Sequence, residues 1–189
     1  INGKHIGVMA LEEHAAKELL EASGRKESVI LRYSEKHYWN WYRKGQISAN
    51  SFSPFNDYRF APLDAFQSSR IAKSPVLARN YQVAAGLLRS YARGRLPASE
   101  VFDPKMMGRY LAVSELFGAW HGLRWHNLRF YFNPQTSLLK PLPYDMSTQL
   151  RETAFVTKGE AISRDLLRDE RINRVFGTTL TTLIEGMTS

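Results

Sequence analysis

The chain has 189 residues, 43% of them hydrophobic and 23% charged, a balance typical of one globular domain and not of a disordered chain. It contains no cysteine, which excludes disulfides, zinc–thiolate sites and cysteine nucleophiles. The formal charge of +8 fits a polyanionic partner, but the basic residues are scattered, so an ordinary basic surface is the preferred interpretation. No apolar run approaches the roughly 20 residues of a membrane span.

The first part of this single domain, residues 1–35, is predicted to be a strand–helix–strand unit. IGVMAL at 6–11 indicates a strand, EEHAAKELLEAS has helical spacing with Gly24 as its C-cap, and VILRY at 29–33 indicates a second strand. The chain opens with INGKHIGV and no initiator methionine, so we expect it to be a piece of a longer protein.

The second part, residues 36–74, is rich in aromatic residues and turn formers and is predicted to be irregular. Its YWNWY run has the aromatic character of a platform on which nucleic-acid bases stack. Such residues more often pack a loop or helix onto the core, and that interpretation is favoured here. A nucleic-acid partner therefore ranks last among the functions considered.

The third part, residues 75–156, is predicted to hold two helices and a hairpin. The apolar spacing of 75–93 indicates a helix that ends at Gly94. Ser99 or Asp103 is expected to cap the next helix, which begins at Pro104 and is apolar enough to lie in the core. The last part, residues 157–189, is predicted to form two helices, ISRDLLRDERINRVF and TTLTTLIEGM.

The hairpin lies within residues 126–145, HNLRFYFNPQTSLLKPLPYD, where two β-like runs flank the turn former NPQTS. Antiparallel pairing would bring Asn127, before the first strand, beside Asp145, after the second. An amide oxygen next to a carboxylate suits Mg²⁺ that also binds phosphates. On spacing alone, two ordinary turn-capping residues are the commoner explanation.

Two blocks of the sequence resemble the CotH family of spore-coat-type atypical protein kinases and their bacterial relatives. INGKHIGVMALEEHAAKELL with VILRY is similar to the family's NGxxxGxYxLxE strand, helix and short strand. YLAVSELFGAWHGLRWHNLRFYFNPQTSLLKPLPYD is similar to its long helix, HN segment, YxxPxTGK turn and PIPWD ending. The likeness covers roughly half of the chain.

The resemblance implies a partial, mostly helical α+β domain of atypical protein-kinase type that binds ATP with Mg²⁺ or Mn²⁺ and phosphorylates protein hydroxyls. Asn127 and Asp145 would take the metal positions, and Glu13 would hold a lysine or orient metal and phosphate. Arg32 stands where relatives often carry a lysine. The implied partners are a nucleotide and a phosphoacceptor or envelope protein, and the implied location is the cell envelope or spore surface.

Three departures from the family pattern favour an alternative, a catalytically inactive kinase-like module that binds envelope proteins. Kinase-like catalysis uses an aspartate a few residues before the metal asparagine, but His121 or Gly122 stands there, so His121 would replace the base. Relatives often carry a second acid two residues after the metal aspartate, where this chain has Ser147. The nucleotide-binding part that normally precedes the first block is not in this chain.

Other polar residues near the hairpin carry weaker signals. His121 and His126 lie five residues apart, but a zinc site would need a third ligand, so His126 is expected to be a structural loop residue. Arg124 and Arg129 are suited to phosphate, although solvent-exposed arginine is the commoner state and is expected here. No hydrolase nucleophile motif or glycine-rich phosphate loop is present.

Overall fold

The computed structural model describes residues 17–46, 57–147 and 160–188. These residues confirm an α+β architecture in which helices accompany one four-stranded antiparallel sheet of order β2-β1-β3-β4. The predicted strand at 6–11 and Glu13 lie outside the described residues. The helices are α1 Lys17–Ala22, α2 Lys36–Arg43, α3 Ser68–Lys73, α4 Pro75–Ala92, α5 Ala98–Val101, α6 Pro104–Leu116, α7 Ala161–Leu167 and α8 Glu170–Thr188, and the strands are β1 Ile30–Tyr33, β2 Leu63–Ala65, β3 Arg129–Asn133 and β4 Leu138–Leu142.

The predicted hairpin is confirmed by the pairing of β3 with β4, which runs from Arg129 opposite Leu142 to Asn133 opposite Leu138. Asn133 stabilises the turn because its side chain accepts a hydrogen bond from the Gln135 amide at 3.0 Å. The turn therefore forms for the local reason that the sequence indicates, and it fixes the register of everything at the hairpin base.

The two predicted central helices are present and begin at capping residues. Ser74 accepts a hydrogen bond from the Leu77 amide at the start of α4, and Asp103 accepts one from the Met106 amide at the start of α6. A proline follows each cap, where it loses no helical hydrogen bond. Of the two caps proposed for α6, Asp103 is the one that the structure uses.

Helix α6 is a core helix, as predicted, and it packs closely against α8. A Cβ atom on Gly108 would lie 2.7 Å from the Cβ of Val175 and 2.8 Å from the carbonyl oxygen of Ile172. Leu111, on the same helix, is fully buried. The glycine thus permits a backbone approach that any side chain would prevent.

Strand β3 is buried along its whole length, and its two faces have different surroundings. Phe130 and Phe132 belong to the main core, which also contains α4 and α6 side chains. Tyr131 faces the other side, in a smaller cluster with Ile30 and Leu142. Because side chains alternate along a strand, Arg129 shares the smaller face with Tyr131.

The segment 36–74, predicted to be irregular, contains α2, β2 and α3 in its described residues. Strand β2 exists because it pairs with β1, with Asp64 opposite Arg32, and such long-range pairing leaves no local sequence signal. The aromatic side chains of α2 are not core residues, contrary to the favoured interpretation: Trp39 and Trp41 are each 39% exposed.

The C-terminal helices divide at a different place from the predicted one. The chain breaks its helical path at Arg168 and Asp169 and then continues as α8 through Gly177. Asp169 explains the position of the break, since its side chain accepts a hydrogen bond from the Arg171 amide at 3.0 Å and caps the new helix. Gly177 does not end the helix, because α8 is held by its packing on α6.

Candidate functional site

The base of the hairpin brings together His121, Asn127 and Asp145. The Nδ1 atom of His121 lies 2.9 Å from Oδ2 of Asp145. The side-chain Nδ2 of Asn127 donates to the carbonyl oxygen of His121 at 3.0 Å and to Oδ2 of Asp145 at 3.4 Å. Asn127 and Asp145, eighteen positions apart in sequence, therefore meet where antiparallel pairing places them.

The three side chains are held by three different local structures. His121 lies in the 3₁₀ helix Trp120–Leu123, which follows α6 after the left-handed residue Gly118. Asn127 is 7% exposed and lies two residues before the start of β3. Asp145 follows β4 with a φ of 50°, a left-handed conformation that aspartate tolerates better than most residues.

Direct packing between the loop at 120–123 and the chain after β4 holds the two parts of the site together. The Tyr110 hydroxyl donates to the carbonyl oxygen of Gly122 at 3.0 Å and lies 3.5 Å from the sulfur of Met146. A Cβ on Gly122 would lie 3.0 Å from the carbonyl oxygen of Tyr144 and would collide with Met146. A side chain at Gly122, one of the two positions where a kinase-type base is expected, would therefore require Met146 to move and would crowd the Tyr144 carbonyl group.

His121 and Asp145 form an exposed pair next to the buried amide. Their side chains are 33% and 46% exposed. When Nδ1 of His121 carries its proton toward Asp145, Nε2 keeps a lone pair and is able to accept a proton. The arrangement orients a histidine with a carboxylate, which is how many proteins prepare a general base.

His126, five residues further along, lies 3.8 Å from Oε2 of Glu35 through its Nδ1 atom. Burial lowers the pKa of His126 below its ordinary value of 6.5, and Arg124, His121 and Arg129 act in the same direction. Glu35 acts against this shift. The lowered pKa favours the neutral form of His126, and its role as a structural loop residue stays a prediction.

Arg129 is buried, contrary to the expectation of an exposed arginine: the residue is 4% exposed. Its Nη1 donates to the carbonyl oxygen of His126 at 2.6 Å, and its guanidinium lies 4.1 Å from the centre of the Tyr144 ring. Burial and the charge of Arg32 lower the pKa of Arg129, while Tyr144 and Glu35 oppose the shift. The sequence does not predict this burial, because the burial depends on other parts of the chain that pack over both faces of β3.

Arg32 lies on β1, directly opposite Arg129 on one side and Asp64 on the other. Its guanidinium lies 3.8 Å from the carboxylate of Asp64, which also forms an ion pair with Lys36 at 3.2 Å. Asp64 and Lys36 were not among the predicted site residues, because they reach Arg32 only through the pairing of β2. Glu13 cannot be placed beside them, since it lies outside the described residues.

The hairpin base offers few ligands for a divalent cation. Within the described ranges, no group of three or more histidine, aspartate and glutamate side chains forms a metal-binding cluster. Asp145 offers an exposed carboxylate, but Asn127 turns its Nδ2 toward it. The amide would present its oxygen only after turning over, which would remove the hydrogen bond to His121. The residues fit a metal that receives one protein carboxylate and takes its other ligands from a bound phosphate.

No protein-family profile matches this chain, and no curated protein matches it significantly. In the part of the chain that the structure describes, no helix is both long and apolar enough to cross a membrane.

Proposed function

We propose that this chain is part of a CotH-like, kinase-type domain that binds ATP with Mg²⁺ or Mn²⁺ and transfers the γ-phosphate to a protein hydroxyl. The observation that carries the proposal is the meeting of His121, Asn127 and Asp145 at the hairpin base. The sequence blocks that resemble the family support the same reading. The bacterial envelope or spore surface is the proposed location.

Asp145 is the proposed metal ligand, through the carboxylate oxygen that His121 and Asn127 do not contact. Asn127 positions this carboxylate and joins the metal only if its amide turns over. The metal, when bound, would neutralise charge on the phosphates during transfer. Since the chain supplies so few ligands, we expect the cation to bind together with the nucleotide and only weakly alone.

His121 is the proposed general base. The acceptor hydroxyl oxygen attacks the γ-phosphorus, the bond from that phosphorus to the β–γ bridging oxygen breaks, and ADP leaves. The hydroxyl proton passes to Nε2 of His121, whose imidazolium form Asp145 stabilises through Nδ1.

The test is transfer of labelled phosphate from ATP to the chain itself and to dephosphorylated casein, in the presence of Mg²⁺. His121→Ala and Asp145→Asn should each lower incorporation by about 100-fold or more, the usual contribution of a positioned base. His37→Ala, which removes an exposed histidine of α2, should leave incorporation unchanged. Incorporation that survives in His121→Ala contradicts the assigned base.

A second candidate is the inactive kinase-like module, which binds nucleotide or envelope proteins without transfer. Two observations favour it: glycine stands at position 122, closely covered by Met146 and the Tyr144 carbonyl group, and the Asn127 amide is turned away from a metal-binding orientation. This candidate predicts Mg²⁺-dependent ATP binding with no incorporation above that of Asp145→Asn. Specific incorporation by the wild-type chain would exclude it.

A further inference from the structure

Helix α2 carries an exposed aromatic face that the proposed function does not use. In the described range 17–46, none of the eight residues of α2 is buried. Trp39 and Trp41 are each 39% exposed, and Tyr42 is 41% exposed. The ring of Trp39 packs edge to face on Tyr38 at 5.2 Å and on Tyr42 at 5.6 Å between ring centres. These three rings therefore form a continuous apolar surface that is accessible from the solvent.

The sequence of α2 separates its aromatic and its basic side chains onto opposite halves of the helix. One half, an arc of about 160° at 3.6 residues per turn, holds the aromatic residues Tyr38, Trp39, Trp41 and Tyr42. The other half holds the polar residues Lys36, His37, Asn40 and Arg43, and the C-cap Lys44 lies on the same side. No acidic residue occurs between positions 36 and 46. The helix is thus strongly amphipathic, and its polar half is basic.

The positive charges of this polar half are largely available to a partner. Lys36 forms an ion pair with Asp64 at 3.2 Å, but its side chain is 71% exposed. Arg43 and Lys44 are exposed, and no carboxylate in the described part of the chain forms an ion pair with either of them. A partner that covers the aromatic face would therefore gain further binding energy if it carried negative charge.

A short amphipathic helix of this composition suits the surface of a lipid bilayer. Tryptophan and tyrosine favour the boundary between head groups and acyl chains, where their apolar rings leave water and their polar atoms stay hydrated. Long basic side chains beside such rings extend back to the lipid phosphates. Their charge is complementary to that of anionic lipids.

Single-stranded nucleic acid is the other polyanion that binds exposed aromatic residues. It uses rings that lie inside a basic groove, with their flat faces open to the bases and cations beside them for the phosphates. In α2 the cations lie on the opposite half of the helix from the rings, and Trp39 packs edge to face on both neighbouring tyrosines. The separation of the two halves favours a bilayer surface over nucleic acid.

We propose that α2 binds the surface of a bilayer that contains anionic phospholipids. Trp39, Trp41 and Tyr42 enter the head-group boundary, and Arg43 and Lys44 contact lipid phosphates. The helix lies in the plane of the surface and does not cross the membrane. The inference is independent of the proposed function, because none of these residues belongs to the hairpin base.

The experiment measures sedimentation of the wild-type chain with vesicles of phosphatidylcholine, with and without about one third phosphatidylglycerol. We expect binding to the anionic vesicles only, with tryptophan emission shifted to shorter wavelength because the rings leave water. Trp39→Ala should weaken the apparent affinity by about tenfold or more, since it removes apolar area from the inserted face. The double variant Arg43→Gln/Lys44→Gln should weaken it by about tenfold or more, since it removes two charges from the lipid contact.

Each α2 variant has a matched control elsewhere in the chain. Phe60→Ala removes an aromatic side chain that is 67% exposed and lies outside α2. Arg89→Gln/Arg93→Gln removes two exposed charges from the end of α4 and its C-cap. Both controls should bind the anionic vesicles within about twofold of the wild type.

Three results would overturn the proposal: no binding of the wild type to anionic vesicles, an equal loss in the controls, or undiminished binding by either α2 variant. Tighter binding of oligothymidylate than of vesicles, lost in Trp39→Ala, would also overturn it and assign the face to nucleic acid. If Trp39→Ala does not fold, Arg43→Gln/Lys44→Gln decides alone, because both of its side chains are exposed.

Discussion

Two polar clusters lie at different places in this molecule and differ in the balance of their charges. In the first, Asp165 accepts a hydrogen bond from the Tyr58 hydroxyl at 2.7 Å and forms ion pairs with Arg59 and Arg168. Its carboxylate thus joins residues from the loop before β2 to α7. In the second, at the hairpin base and on the adjoining face of the sheet, Arg129 has no carboxylate partner among the described residues.

The polar groups of the first cluster hold the fold, whereas those of the second are suited to a ligand. The contacts of Asp165 with Tyr58 and Arg59 link segments that are far apart in sequence, which is what a structural carboxylate does. The hairpin base instead keeps an exposed His121–Asp145 pair and the buried Arg129, which forms no ion pair with a carboxylate of the described residues. Removing a residue of the first cluster should therefore lower stability and leave ligand binding intact. Removing a residue of the second cluster should weaken ligand binding and change stability little.

The largest expected effect on stability is at the balanced cluster. Asp165→Asn should lower the free energy of unfolding by about 2 kcal/mol, because the charge-assisted bonds from Tyr58 and Arg59 weaken. Urea unfolding measures this change. Glu170→Gln, at a side chain 87% exposed, is the matched control and should cost less than about 0.5 kcal/mol. Mg²⁺-dependent ATP binding should persist in Asp165→Asn, and its loss would erase the distinction between the clusters.

A smaller effect is expected from removing the unbalanced cation. Arg129→Met should change the free energy of unfolding by less than about 1 kcal/mol, since an apolar side chain that replaces an uncompensated buried charge is often neutral or stabilising. The same urea titration, without phosphate in the buffer, provides the measurement. A loss as large as that of Asp165→Asn would mean that Arg129 holds the hairpin base and is not kept for a ligand.

The smallest expected effect is a pH dependence from His126. Burial lowers its pKa in the folded state below the ordinary value of 6.5, so the unfolded chain binds the proton more strongly. This contribution to stability is complete above about pH 6.5 and is lost as the pH falls toward the lowered pKa. Unfolding measured between pH 7.5 and 5 should show a shallower decline in His126→Gln. His37→Gln, at an exposed position, should decline like the wild type.

The elements that the sequence predicts well are those with local causes. Helices α4 and α6 have apolar periodicity and a capping residue followed by proline, and the hairpin has turn chemistry between two strands. The meeting of Asn127 and Asp145 follows from the hairpin alone. The boundary between α7 and α8 is less evident from the sequence, because it depends partly on a distant contact. Asp169 caps α8 and also accepts a hydrogen bond from the Ser99 amide at 2.7 Å.

The features that the sequence does not predict depend on distant parts of the chain. Strand β2 is three residues long and exists through its pairing with β1, so Asp64 reaches Arg32 by tertiary structure only. Arginine is usually a surface residue, but Arg129 is buried because β3 is covered on both faces. The direction of the Asn127 amide is likewise fixed by the carbonyl group of His121 in the preceding loop.

The most direct test of the central claim, that the hairpin base binds a nucleotide with a metal, is calorimetric titration of ATP into the chain with Mg²⁺ and with EDTA. The wild type and the exposed control Glu170→Gln should bind only with Mg²⁺, and Asp145→Asn should bind at least about tenfold more weakly. A folded wild type that binds no ATP, or an Asp145→Asn variant that binds it equally well, would contradict the account.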